Sequence, residues 1–301
     1  MTMLRPRLRI PRASRLWRPA LSSRPLHTVP PLKQFSPEEG VPGLLSPPGF
    51  DMAWTQYMQF TLEKLNQQTA GTEFADQEPL TILKATAREP QLAAVFNYAS
   101  MAHNNAFFFE GLANTKNEEQ AEEANADEDR IPPRLKIELA KHFSSIETLR
   151  REFLITATGM FGPGFVWLVK NAHSTELRIL ATYLAGTPYT AGHWRRQGVD
   201  MNTQGVGAPE VAREWIDRVQ AGAGATHAGR FVAQNQTAPG GTDVVPILCL
   251  NTWEHVWLRD YGVGAGGHGG KRQYVQDWWR CIDWNRAEAL ANLIRPDVKR
   301  K

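Results

Sequence analysis

Cysteine is scarce: the 301 residues contain only Cys249 and Cys281. Two cannot build a disulfide scaffold or a four-thiolate zinc site. No run of about 18 apolar residues occurs, which excludes a hydrophobic transmembrane helix, and no membrane partner is expected. The patterns HExxH, CxxC and G-x-S-x-G are all missing, so no metalloprotease, dithiol or hydrolase signature is available. Acids are missing altogether from residues 1–37, which hold seven arginines and Lys33. Without those eight bases, 26 basic residues face 31 acidic ones, a net charge of −5 for the body. Seven of the acids sit in Glu118–Asp129, a run with no base, and outside it the remainder is +2. A body so close to neutral does not coat nucleic acid by charge alone.

What is present starts with that basic leader. Residues 1–30 are rich in Arg, Ser and Leu and free of acids, the pattern of a mitochondrial presequence drawn inward by the membrane potential. They lack the apolar core of a secretory signal. The same segment also reads as a basic arm that binds RNA. The presequence reading predicts a mature protein in the mitochondrial matrix. Residues 31–50 form a Pro/Gly-rich leader. Residues 51–115 read as a helical hairpin domain. In its first helix, 51–66, Trp54, Met58, Leu62 and Leu65 recur at helical spacing; in its second, 89–112, Leu92, Val95, Phe96, Ala99, His103 and Ala106 share a side. Residues 116–132 form an acidic, solvated linker.

The remainder, 133–301, reads as an α/β domain. Helices are predicted over 133–143 and 145–158, with Ser144 and Glu147 spaced as a capping box. Phe165–Val169 and Leu177–Leu184 predict an antiparallel hairpin, and Val244–Asn251 a third buried strand. Residues 187–243, rich in Gly, Ala, Thr and Gln, read as an insertion carrying one helix, with Val211, Trp215 and Val219 on one face. Such a segment buries too little apolar surface to fold alone. Tyr274–Leu293 is helical, with Asp283 as a cap within it. The glycine-rich Gly262–Lys271 fails as a phosphate loop, because Ala265 and Arg272 occupy the positions of its first Gly and its Ser/Thr. It reads as a loop extension, with Lys271 and Arg272 as candidate RNA-phosphate contacts. The basic tail adds Lys299 and Arg300 to those candidates.

Four ordered segments resemble the iron/manganese superoxide dismutases. NTWEHVWLRDY (Asn251–Tyr261) is similar to that family's D-x-W-E-H-A-Y-Y. QYVQDWWRCIDWNRAEAL keeps the 5 + 5 spacing of the family's last aromatics in Tyr274, Trp279 and Trp284. FGPGFVWLV (Phe161–Val169) is similar to F-G-S-G-W-x-W-L-V, and VFNYASMAHNNAFFF (Val95–Phe109) to V-F-N-N-A-A-Q-H-W-N-H-T-F-Y-W. The resemblance covers roughly residues 50–186 and 245–295. It implies an α+β fold: an N-terminal helical hairpin plus a C-terminal α/β domain with a three-stranded antiparallel sheet.

The family holds a redox metal through three His and one Asp. The resemblance places the first His on Ala53, the second on Asn105, the Asp on Asn251, and only the third His on a histidine, His255. His103, two residues from Asn105, is rotated by ~200° on the helix and faces away. The family's gateway Tyr falls on Thr61, and the Gln position of its manganese members falls on Phe161. One ligand in four cannot hold the metal, so neither catalytic residues nor a cofactor is expected. The retained Trp253, Glu254 and His255 call for another explanation. In the family this Glu pairs with the His of the other subunit, so a pairing interface is one reading and a satisfied core histidine the other. A dismutase scaffold without its metal site, behind a presequence, resembles the fungal mitochondrial small-subunit ribosomal proteins of that fold, two of which pair with each other. The resemblance implies a non-catalytic structural protein that touches neighbouring ribosomal proteins, a paralogue of the same fold as heterodimer partner, and small-subunit rRNA. The alternative is an active mitochondrial dismutase or related oxidoreductase with altered ligands.

Overall fold

A computed structural model describes residues 27–87, 89–114, 129–189 and 243–293. The arginine-rich leader, the acidic run, most of the insertion with its 211–219 helix, and Lys299 and Arg300 lie outside the described residues.

The N-terminal unit is a helical hairpin. Ser46 caps α1 (Pro47–Phe50) by accepting from the Gly49 N–H, and Pro47 suits a first turn that needs no donor. α1 runs through a π-helical turn, Asp51–Gln56, into α2 (Tyr57–Thr69). The helix predicted over 51–66 thus extends at both ends. A short helix, α3 (Pro79–Thr86), follows. The second predicted helix begins as a 3-10 turn, Pro90–Leu92, because proline cannot donate, and continues as α4 (Ala93–Glu110). The Pro/Gly-rich leader packs on this unit. Phe35, Val41, Leu44, Leu45 and Phe50 are buried, because the apolar residues between the prolines fill the flank of the hairpin.

The second unit opens with α5 (Pro133–Phe143) and α6 (Ile146–Gly159). The helix cap falls one residue later than the Ser144–Glu147 spacing implies. Ser144 adopts a positive φ to end α5, and Ser145 caps α6 by accepting from the Thr148 N–H at 3.0 Å. β1 (Gly164–Asn171), β2 (Leu177–Tyr183) and β3 (Val244–Asn251) form an antiparallel sheet in the order β2-β1-β3. Central β1 is apolar and buried from Phe165 to Val169. It can start so tightly only because residue 164 is glycine: a Cβ there would lie 2.1 Å from the Thr182 carbonyl oxygen. α7 (Glu254–Tyr261), α8 (Gly270–Arg280) and α9 (Trp284–Ala291) complete the unit. Trp278 meets Phe153 of α6, and Trp279 meets Trp284 edge-on at 5.3 Å. Two backbone bonds, Ala113 to Cys281 and Asp283 to Gly111, fasten the end of α4 to the α8–α9 junction. No helix among the described residues is long and apolar enough to cross a membrane.

Candidate functional site

The positions singled out in the sequence come together where the two units meet. Ala53 lies on the π-helical turn, Asn105 on α4, Asn251 at the end of β3, and His255 in the first turn of α7. Three of them form one hydrogen-bonded chain. The Trp253 backbone N–H donates to Asn251 Oδ1 at 2.9 Å. Asn251 Nδ2 donates to Asn105 Oδ1 at 3.0 Å. Asn105 Nδ2 donates to the Ala53 carbonyl at 3.1 Å. Both amides are fully buried. The Asn251 carbonyl in turn accepts from the Tyr274 hydroxyl at 2.8 Å. Each amide therefore engages its donor and its acceptor within the protein, which makes this burial affordable.

This chemistry does not fit the redox metal that the resemblance implies. Ala53 has no donor atom. The two amides are neutral and are turned toward each other, so they bring no compensating charge to a cation. Thr61, at the gateway position, donates to the Tyr57 carbonyl of its own helix. Phe161, at the manganese-type Gln position, points out of the protein and is 98% exposed. Among the described residues no group of three or more His, Cys, Asp or Glu could hold a metal. His103 faces away from Asn105: its Nε2 meets the Tyr189 hydroxyl at 2.7 Å and its ring packs on Phe107. Burial, with Lys84 adding to it, lowers its pKa to about 4.

His255 is only partly buried, and its ring stacks on Tyr57 with centroids 3.9 Å apart and planes at 18°. Its Nε2 is buried without a hydrogen-bond partner among the described residues. Burial lowers its pKa to about 4, so it is neutral at physiological pH. The Tyr57 ring covers the flank of His255, and burial raises its own hydroxyl pKa to about 12. Tyr57 was not anticipated from the sequence. It is one helical turn beyond Ala53, and that spacing was the available signal.

A surface adjoins this site. Trp253 Nε1 donates to the Leu184 carbonyl at 3.3 Å, and the Leu184 N–H donates to the Pro163 carbonyl at 3.0 Å. These bonds join the start of α7 to the turn that carries Phe161. Leu184 and Phe161 are both exposed, 59% and 98%, so the retained Trp253 and Glu254 stand beside uncovered apolar side chains. The Lys271 ammonium donates to the Met160 carbonyl at 3.1 Å. Burial lowers its pKa, and nearby Glu254 pulls it partly back. Arg272 is exposed.

Comparison with known proteins agrees with this geometry. Residues 132–200 and 218–290 match the C-terminal domain of the iron/manganese superoxide dismutases. The chain is 29% identical to small ribosomal subunit protein mS43 of Schizosaccharomyces pombe, over 87% of this chain and 83% of that protein. It is 27% identical to small ribosomal subunit protein mS42 of the same organism, over 68% and 70%. It is 32% identical to the iron superoxide dismutase of Campylobacter coli, over 73% of this chain and 70% of that enzyme. The hairpin, the three-stranded sheet and these matches lead to one conclusion: the chain belongs to the iron/manganese superoxide dismutase family.

Proposed function

We propose that the chain is a non-catalytic structural component of the mitochondrial small ribosomal subunit, built on a dismutase fold whose metal site has closed. The observation that carries this reading is the Asn251–Asn105–Ala53 chain, which puts neutral, mutually engaged groups where a redox metal needs charged or imidazole donors. Two similar proteins of one organism are small ribosomal subunit proteins, which supports the assignment to that particle. The acid-free, arginine-rich leader supports a mitochondrial matrix location.

The partner at the Trp253–Glu254 surface is a chain of the same fold. Exposed Phe161 and Leu184 beside Trp253 supply the apolar area, and Glu254 supplies the polar contact to the partner's face. Two similar ribosomal proteins within one organism provide a precedent for paralogues of this fold. Contacts to rRNA fall to Lys271, Arg272, Lys299 and Arg300.

Sedimentation of lysed mitochondria through a sucrose gradient tests the assignment: the protein should travel with the small subunit. Stoichiometric iron or manganese together with dismutation activity in the purified chain would refute it. Glu254→Ala tests the pairing. It should weaken co-purification of the fold-mate by about 2–5 kcal/mol, because the group facing Glu254 is left buried and unpaired. Equal recovery with wild type and variant rejects the interface.

A further inference from the structure

The π-helical turn and α2 together carry two apolar faces. Trp54, Met58, Leu62 and Leu65 are buried in the core. Tyr57, Phe60 and Lys64 recur at i, i+3 and i+7 on the neighbouring side, which solvent reaches. Phe60 is 50% exposed, and its ring meets Tyr98 of α4 edge-on, with centroids 6.4 Å apart. The Lys64 ammonium lies 5.8 Å from the centroid of the Phe60 ring. In the other direction the Tyr57 ring stacks on His255, whose ring centroid is 5.7 Å from that of Trp253. The Tyr98 hydroxyl adds to the rise that burial causes in the Tyr57 pKa, so the two phenols stand within electrostatic reach of each other. Trp253, His255, Tyr57, Tyr98, Phe60 and Lys64 thus form one ribbon of partly or fully exposed side chains, from the start of α7 to the middle of α2.

A single exposed ring is ordinary, but a continuous run of them marks a surface that something covers. The rest of the outer side of α2 is polar, as Gln59 and Glu63 are. Size and charge identify the occupant. A stable pairing takes about 800 Å² and 20–30 residues from each chain, and Trp253, Glu254, Phe161 and Leu184 fall well short of that alone. The ribbon begins at Trp253 and supplies further aromatic area in direct continuation. A track for RNA bases would set several cations beside its rings. Among the described residues this ribbon carries one, Lys64, and the same helix places Glu63 next to it. We propose that the pairing surface runs on from Trp253 onto the helical hairpin, where the chain of the same fold covers the ribbon through Tyr57 and Tyr98 to Phe60. This extent rests on the reading of Trp253 and Glu254 as a pairing surface.

Hydroxyl-radical footprinting of the full chain, alone and with the fold-mate that co-purifies with it, tests the ribbon without altering a residue. Phe60 and Tyr98 should be oxidised in the free chain and protected about fivefold or more in the pair. Phe60→Asp, which puts a charge on the ribbon and leaves the core stripe untouched, should raise the dissociation constant of the purified pair by about tenfold or more. Gln59→Asp, on the polar side of the same helix, should leave it within about twofold. Unchanged oxidation of Phe60 and Tyr98 on pairing overturns the ribbon, and so do equal dissociation constants for wild type and Phe60→Asp. A pair that Glu254→Ala still weakens then keeps the pairing surface without this extension. A chain that binds no fold-mate fails the pairing reading itself, and the ribbon with it. Loss of rRNA crosslinks in Phe60→Asp with pairing unchanged overturns the ribbon as a protein contact and gives it to RNA.

Discussion

Asn251→Asp is the most informative single change, because it restores a carboxylate at the family's Asp position while keeping the shape of the side chain. In the native chain Asn251 Nδ2 donates to Asn105 Oδ1 at 3.0 Å. After the change an oxygen faces that oxygen. Turning the Asn105 amide over only moves the conflict, since its Oδ1 would then face the Ala53 carbonyl. The site is fully buried, and His255, at the start of the next helix, is held neutral. The protonated acid can still donate to Asn105; the ionised one cannot. Its folded-state pKa should therefore rise about 3 units above the ordinary value of about 3.9. A group with a raised folded pKa is protonated in the native state while the unfolded chain ionises, so stability falls as pH rises from about 4 to about 7 and is flat beyond. Relative to wild type, the variant should lose about 1.5 kcal/mol at pH 5 and about 4 kcal/mol at pH 8. Urea unfolding at the two pH values measures both. Asn251→Leu is the control: it leaves Asn105 Oδ1 and the Trp253 N–H unpaired, costing about 2–5 kcal/mol at either pH. A penalty for Asn251→Asp that does not change between pH 5 and pH 8 refutes the reasoning. So does a rise in its stability on adding Mn²⁺, which would mean that the carboxylate has found a cation.

His103 supplies an acid dependence of its own. Its folded pKa of about 4 lies below the ordinary 6.5, so the unfolded chain binds the proton first and stability falls as pH drops from 6.5 to about 4, by up to about 3 kcal/mol. His103→Phe should flatten that part of a pH–stability curve measured by urea unfolding, and an unchanged curve counts against it. Gly164→Ala should cost about 3 kcal/mol or more, because its Cβ would sit 2.1 Å from the Thr182 oxygen and 2.7 Å from Met160 Cε. A melting temperature within a degree of wild type would show that β1 and β2 can separate freely at that end.

The sheet and the longer helices were legible because local pattern decides them. Val244–Leu250 and Phe165–Val169 are unbroken apolar runs, and Pro133–Phe143 opens on a proline and repeats at helical spacing. α3 was missed because eight residues show too little periodicity to stand out from a loop. The cap moved from Ser144 to Ser145 because the choice between adjacent serines depends on how α5 ends, a matter of backbone angle that residue type does not encode. The candidate site divides in the same way. That Ala53, Asn105 and Asn251 are poor ligands follows from their side chains. That two of the three face each other across 146 residues of sequence does not. Phe161 stood out only as a lost metal-supporting position; its exposure is a property of the turn that carries it.

The buried amide chain and the retained surface are one structure. The chain ends on the Trp253 N–H, and Trp253 is the residue that opens α7 and presents Glu254. A metal in the family's site would fix the start of this helix through its ligands; here Asn251 Oδ1 fixes it by accepting one backbone hydrogen bond. The other end of the chain holds the π-helical turn, and Tyr57, the first residue of the helix that continues it, backs His255. An interior change at Asn251 should therefore be felt at the surface although its side chain is fully buried. Asn251→Leu and Glu254→Ala should each weaken recovery of the fold-mate, and the double variant should lose less than the sum of the two. The non-additivity arises because, once the start of α7 is released, Glu254 is no longer aimed and its removal takes away less. Strict additivity in a double-mutant cycle, read as dissociation constants for the purified pair, would mean that the amide chain supports the fold but does not aim the surface.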